Sequence, residues 1–534
     1  MSGAVPYRPV DALIADHAHR HGERVYVESI DPSGRLTFAE LDALTNRLAH
    51  FLADRGVSAN ERISLLGENC PEWVVLFFGV QRYGAAVNPV NVEVNAKNVQ
   101  QILQDVAPRL VLWQRSLPQA LQAVIRSAGR EAIPFGTLAQ GAPAADDVFH
   151  RLAAFPPSPG ARRPGRSGDT AIIDYTSGTT ARPKGVCISH DAYFSMARSP
   201  AERLGLCTAD RLLECRALSW ASPQVLSLGP TLHTAATLVL ARKFSRSRFF
   251  DWIRDQRVTI AAGIPTVINI LLDRPVPVTA AAVPTLKFIT SSAAPLAAER
   301  QRAFERRYGI PIVQLCGMTE AGLMGGNPPS ACRVGSIGPP MPYLDARFVD
   351  EAGAECPAGT DGELVVSGPQ MASAYLVEGG TLVPIPQDGF RTGDIGHRDA
   401  DGYLYLSGRK KDLIIRGGVN IAPLEITTAL LAHPAVAEAA TIGVPDDVYG
   451  EEIVSFVVPR RGRAVAAEEL FAHCRTRLSD FKLPREIRVL EAIPKTERGK
   501  VARQSLEALW RRHPQAPTDD APGMAPLAAE ERNG

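Results

Sequence analysis

The sequence predicts an α/β protein. A large N-terminal domain of layered α/β subdomains carries a small β-rich subdomain, and a small α+β C-terminal domain follows. In roughly the first hundred residues, apolar stretches of helical period alternate with short apolar runs of strand length, as in a largely parallel sheet. Between Gly335 and Gly408 the signal changes to short strands broken by Gly and Pro, such as "GELVVSG" and "GYLYLSG". After Gly408 a different compositional unit begins at "RKKDLIIRGGVN". It is about a hundred residues long, an ordinary domain size.

The elements follow in order. "TFAELDALTNRLAHFLADRG" sets Leu41, Leu44, Leu48, Phe51 and Leu52 at helical spacing and stops at Gly56. "ERISLLGEN" reads as a short buried strand. "PEWVVLFFGVQRYG" reads as a helix that opens on proline and closes on Gly84, and "AAVNPVN" as the next strand. "PPSPGARRPGRSG", from Pro156 to Gly168, is a connector. Beyond it, "FFDWIRDQRV" is helical and "LKFITSS" is a strand leading to a turn. The last unit reads as a helix ("PLEITTALLAHP"), two strands ("VAEAATIGVP", "EIVSFVVPR") and a helix ("AAEELFAHCRTRLS"). Domains are therefore expected at 1–408 and 409–511. A tail at 512–534, rich in Pro, Ala and charge, is expected to be disordered.

A chain of 534 residues has room for more than one domain. Its 45% hydrophobic and 22% charged residues are those of a soluble globular protein. A net charge of +1 gives no surface-wide attraction for nucleic acid or anionic lipid. The start, "MSGAVPYRPVDALIADH", lacks the charged end and apolar core of a signal peptide. Apolar runs such as "WVVLFFGV" are too short to span a bilayer. The eight cysteines are scattered with no C-x-x-C pair, so neither disulfides nor zinc are expected, and a cytoplasmic location is.

"DYTSGTTARPKGVCIS", Asp174 to Ser189, is the stretch that carries chemistry. A Walker loop needs glycine before its lysine and a hydroxyl after it. Here Pro183 precedes Lys184 and Gly185 follows, and the flanks "AIIDY" and "GVCIS" both read as strands. That argues against a P-loop NTPase. Backbone N–H groups near Gly178, the hydroxyls of Thr176, Ser177, Thr179 and Thr180, and the charge of Lys184 still suit a phosphate. On this stretch alone, a polar β-turn with a solvated lysine is the alternative.

Its companions occur in one order: "GMTEAG" (Gly317 to Gly322), "FRTGD" (Phe390 to Asp394), "GRKKDLIIRGGVNIAPLEI" (Gly408 to Ile426) and "PKTERGKVAR" (Pro494 to Arg503). From about Leu36 to Leu506 the chain resembles the acyl- and aryl-CoA synthetases of the adenylate-forming superfamily. The resemblance implies that a carboxylic acid and MgATP give an acyl-adenylate and pyrophosphate. A mobile C-terminal domain then turns and the acyl group passes to a thiol. Both first reactants are anionic, so charge must be neutralised and the attacking oxygen held in line.

By the same resemblance, Lys500 is the adenylation lysine, Glu320 the Mg²⁺ ligand, and Thr319 a donor to phosphate. Asp394 takes the ribose hydroxyls with help from Arg409, and Lys411 is the hinge. Gly417 and Gly418 lie near the pantetheine arm, a tight turn being equally compatible. Nucleotide contacts are expected from the loop (Thr176, Ser177, Gly178, Thr179, Thr180, Lys184) and from Ala293, Ala294, Pro295, Cys316, Gly317, Met318 and Thr319. ATP, Mg²⁺ and CoA are the implied cofactors. The partners are a small carboxylic acid and CoA, without nucleic acid or an integral membrane segment, and a homodimer is left open.

The chain departs from the family pattern at four places. Cys316 stands where tyrosine usually lies against adenine, Trp220 of "ALSW" where "PLFH" is common, and Ser292 and Ala181 where glycine is usual. Ala181 is expected at negative φ, leaving loop mobility to Gly178 and Gly185. By the same resemblance, the acyl pocket is expected around Trp220, Ile264, Val267, Gly322 and Met324, an apolar lining that suits a fatty or aromatic acid. Arg216 and Arg333 are the candidates for reading a second carboxylate. The alternatives are an acyl-AMP ligase that loads a carrier protein, and a non-catalytic acid or nucleotide binder on the same fold.

Overall fold

The computed structural model describes residues 6–137, 143–160, 166–176, 183–495 and 501–512. By contact the chain divides into two compact units. The first is Met1–Gly359 with Leu364–Thr392 and Arg398–Tyr405; the second is Leu406–Gly534 with Thr360–Glu363 and Gly393–His397.

The first unit holds two eight-stranded sheets. One runs Gly322–Gly326, Ile312–Met318, Phe288–Ser291, Ile260–Ala261, Arg211–Glu214, Thr237–Leu240, Val25–Ile30, Ser33–Thr37. Its interior pairings are parallel, and an antiparallel pair closes each edge. The other runs Leu382–Pro384, Ala374–Leu376, Lys184–Ser189, Thr170–Thr176, Ala86–Val90, Arg62–Leu66, Leu110–Gln114, Glu131–Phe135. It is parallel from Thr170–Thr176 onward and antiparallel before it. The parallel strands bury both faces, which is why they read as continuous apolar runs.

Helix ends follow the sequence signals. Thr37 and Glu40 form a reciprocal capping box at the start of Phe38–Asp54 (Glu40 N to Thr37 Oγ1 3.2 Å, Thr37 N to Glu40 Oε2 2.8 Å). Helix Pro71–Tyr83 starts on proline, stops at Gly84 with φ 95°, and is buried from Glu72 to Tyr83. A helix whose middle, Trp73 to Val80, is apolar on every side belongs inside the molecule.

Asn69, 3% exposed, joins the two sheets at their strand ends. Its Nδ2 donates to the carbonyls of Arg216 (2.8 Å) and Ala241 (3.0 Å), and its Oδ1 accepts from Leu218 N (2.8 Å). The C-terminal ends of Arg62–Leu66, Arg211–Glu214 and Thr237–Leu240 therefore meet there. In α/β folds such a crevice is where ligands bind.

The β-rich stretch forms a four-stranded sheet of Asp345–Val349, Gly362–Ser367, Phe390–Arg398 and Leu404–Arg409. In the second unit, Ile414–Arg416, Val419–Ile421, Val436–Asp446, Gly450–Pro459 and Glu486–Val489 form a five-stranded sheet. One core there gathers Ile426, Leu430, Ile453, Val457, Leu470 and Cys474; another gathers Ile442, Phe456 and Leu506. No described helix is long and apolar enough to cross a membrane.

Candidate active site

The glycine- and hydroxyl-rich loop joins two antiparallel strands, as its flanks predict, with Thr176 opposite Lys184 at the mouth. Ser177, Gly178, Thr179, Thr180 and Ala181 lie outside the described residues, so the expectation for Ala181 φ is not addressed. Gly185 corrects the sequence reading. It is buried in the ladder between Tyr175 and Leu376, and a Cβ there would meet Ile173, Leu376 and Tyr175, each at 3.1 Å. Close packing, not mobility, accounts for this glycine.

The "GMTEAG" motif turns between strands Ile312–Met318 and Gly322–Gly326. Gly317 has no room for a side chain, since a Cβ would lie 2.3 Å from the Gly322 carbonyl oxygen. Gly322 supplies φ 63° to the turn. Segment 370–375 cradles it: Gln370 Nε2 donates to the carbonyls of Ala321 and Leu323, both at 2.6 Å, and Ala372 N donates to the Glu320 carbonyl at 2.8 Å.

Tyr375 then connects the turn to Lys184. Its Oη donates to Glu320 Oε1 at 3.0 Å, and its ring centroid lies 5.6 Å from the Lys184 ammonium. Burial, and then the Glu320 charge, push the Tyr375 phenol far above its ordinary value, so it stays a donor. Thr319 and Glu320 are half-buried at this turn, and Cys316 pairs in register with Gly325. Mg²⁺ is usually held by one or two carboxylates with substrate phosphates, a demand that Glu320, linked through Tyr375 to Lys184, fits.

Ala293, Ala294 and Pro295 are exposed, following buried Ser292. Ala293 sits at φ +70°, a left-handed conformation that costs a non-glycine residue about 1 kcal/mol or more. Trp220 is half-buried at the head of a short turn, Ala221–Pro223, which passes into a π-helical turn at Gln224–Leu228. Ile264 is partly buried; Val267 (4% exposed) and Met324 (0%) are buried, Val267 in a core cluster with Phe249 and Leu271. Gly322 is buried beside Met196.

Both arginines considered for a second carboxylate are already paired. Arg333 bridges Asp399 and Asp401 at 2.7 Å each and lies 4.0 Å over the Tyr403 ring. Arg216 is bound to buried Glu214.

Within the second unit, Arg409 Nε meets Asp394 Oδ1 at 2.7 Å; Asp394 is 4% exposed. Lys411 lies in the 3₁₀ turn Lys410–Asp412, and burial, outweighing Asp412, lowers its ammonium pKa. Gly417 (φ 56°) and Gly418 (φ 81°) form the turn between Ile414–Arg416 and Val419–Ile421. Two positive φ values are what a two-residue hairpin needs, so the turn reading accounts for both glycines. Lys500 lies outside the described residues.

A sequence profile of AMP-binding enzymes matches residues 14–376, and one of the AMP-binding enzyme C-terminal domain matches residues 425–500. The chain belongs to the AMP-binding enzyme family. It is 35% identical to a sulfoacetate–CoA ligase of Cupriavidus necator over 93% of this chain and 96% of that protein. It is 32% identical to an indoleacetate–CoA ligase of Aromatoleum aromaticum over 90% and 94%. The ATP-bound crystal structure of MatB from Rhodopseudomonas palustris superposes with a TM-score of 0.85 at 27% identity, covering 94% of this chain and 99% of that one. The relatives of this AMP-binding enzyme are thus acid–CoA ligases, a class that works with ATP, Mg²⁺ and CoA.

Sequence reasoning on this AMP-binding enzyme missed Tyr375, Gln370, Asn69 and Glu214, the partner of the Arg216 already named. Tyr375 sits in "MASAYLVEGG", where the turn signal is Glu378–Gly380 and nothing marks the tyrosine itself. Glu214 and Arg216 flank Cys215 at a strand end, the one position where a local signal existed: two opposite charges in an otherwise apolar run.

Proposed function

We propose that this chain activates a fatty or aromatic carboxylic acid as its adenylate and transfers the acyl group to CoA. The supporting observation is Tyr375, which holds Glu320 by a hydrogen bond while its ring faces the Lys184 ammonium. A carboxylate for Mg²⁺ and a cation for phosphate are thereby set on one side chain. Mg²⁺ at Glu320 would supply neutralising charge to the phosphates. Residues 1–408 are read as the acid-activating domain and 409–511 as a mobile domain bringing Lys500 to the reaction. The Arg409–Asp394 pair orients the carboxylate for the ribose hydroxyls. The existing ion pairs of Arg216 and Arg333 and the apolar lining favour an acid without a second negative charge.

The test is a pyrophosphate-release screen of purified enzyme with MgATP across fatty, aryl and arylacetic acids, dicarboxylic acids and sulfoacetate. Release with a monoanionic apolar acid, followed by thioester formation with CoA, is expected. Preference for sulfoacetate or a dicarboxylate would overturn the substrate reading. Thioester formed on a carrier protein and not on CoA would replace the acceptor, and no release with any acid would leave a binding protein.

A further inference from the structure

Arg216 and Glu214 form a buried pair that the ligase chemistry does not itself use. Glu214 is 0% exposed and the Arg216 side chain 11%. Glu214 Oε1 accepts from Arg216 Nε (2.9 Å) and Arg216 N (2.8 Å), and Oε2 from Arg216 Nη2 (2.5 Å) and Ser227 Oγ (2.6 Å). Burial alone would lower the guanidinium pKa, but the Glu214 charge outweighs it and raises the pKa. A two-pronged contact of this kind fixes the guanidinium plane.

The remaining nitrogen reaches in two directions. Arg216 Nη1 donates to Ser222 Oγ at 2.9 Å and to Ser292 Oγ at 3.2 Å. Ser222 lies two residues beyond Trp220 in the Ala221–Pro223 turn. Ser292 is 1% exposed and directly precedes Ala293 with its left-handed backbone. The arginine backbone is fixed as well, its carbonyl accepting from Asn69. Replacing a buried ion pair by apolar residues is often neutral or stabilising, so fold stability gives no account of this one. A rigid bridge between two site segments does, and Ser227 in a π-helical turn, a feature frequent at functional sites, belongs to it.

We infer that Arg216 is a positioning residue that ties the Trp220 turn to the Ser292–Ala293 turn, so that nucleotide binding is transmitted to the acid-side wall. The inference rests on the ligase reading, in which Ala293 faces nucleotide and Trp220 faces acid. Coupling between two ligand sites needs a physical element that both engage, and it acts equally in both directions.

MgATP is titrated into the full-length enzyme by calorimetry, and the Trp220 contribution to emission is taken as the difference from Trp220→Phe. In the wild type, MgATP shifts Trp220 emission. Ser292→Ala removes one acceptor and leaves the Glu214–Arg216 pair intact; it is expected to bind MgATP within about threefold of wild type while losing most of the Trp220 response. The charge-neutral double variant Glu214→Leu/Arg216→Met is expected to keep its Tm and lose the response as well. A full response in either variant, or a lower Tm with the response intact, overturns the inference. MgATP heat without a Trp220 response in the wild type sinks it alone, whereas no MgATP heat at all sinks the ligase reading with it.

Discussion

At the scale of single residues, Tyr375 links Glu320 and Lys184, the two side chains proposed for Mg²⁺ and phosphate. Tyr375→Phe keeps the ring beside Lys184 and removes the bond to Glu320. Hydrogen bonds to charged groups contribute about 1.5–3 kcal/mol, so adenylation is expected to fall roughly 10- to 100-fold and Tm to drop as well. Pyrophosphate exchange and a melting curve on the same sample check it. Lys500→Ala is expected to cost adenylation about 100- to 1000-fold, the usual loss on deleting one preorganised charge-stabilising group. Transfer from a supplied acyl-adenylate should be largely spared; equal losses in both half-reactions would remove that role from Lys500. Lys184 and Glu320 were legible because each lies in a dense local motif. Tyr375 was not, since it reaches Glu320 across 55 residues of chain and local spacing carries no trace of such a contact.

At the scale of elements, glycines that look alike in sequence do different work. In the strand Ile312–Met318, a Cβ on Gly317 would press on backbone, 2.3 Å from the Gly322 oxygen and 2.9 Å from Leu323 Cα. Backbone cannot swing aside, so Gly317→Ala is expected to destabilise by about 1–3 kcal/mol and to disable adenylation through the displaced Glu320. Gly418, with φ +81° and open space within 4 Å of where a Cβ would stand, meets only the conformational cost, about 1 kcal/mol in Gly418→Ala. Urea unfolding of the two variants separates the cases. Starts and stops such as Gly56, Pro71 and Gly84 were readable, because each acts within one helical turn. The two-residue strand Ile260–Ala261 and the π-helical turn Gln224–Leu228 were not, for neither is long enough to show a period.

At the scale of the whole molecule, acid should loosen the first unit before its carboxylates titrate. Burial, and then Arg198, lower the pKa of His233 to about 4, with Glu202 opposing; burial also lowers His17 and His190. A histidine whose folded pKa is depressed stabilises above its unfolded pKa, about 6.5, and that stability is lost as pH falls toward the folded value. Tm is therefore expected to hold above about pH 7 and to decline between about pH 6.5 and 4, less steeply in His233→Gln. Lys411→Pro tests the proposed rearrangement: adenylation should persist while thioester formation fails, and normal thioester formation would remove the hinge. The α/β class and the α+β C-terminal unit were visible in apolar periodicity. The membership of Thr360–Glu363 and Gly393–His397 in the second unit was not, because packing in space, not composition along the chain, decides it.

Asn69 has a practical meaning for redesign. One side-chain amide meets segment 216–218 through its main chain alone, at the Arg216 carbonyl and the Leu218 N–H. Every residue carries that carbonyl and every residue but proline that N–H, so the Asn69 joint itself excludes only proline at 218. The scaffold therefore offers a socket whose fitting is independent of what is plugged into it.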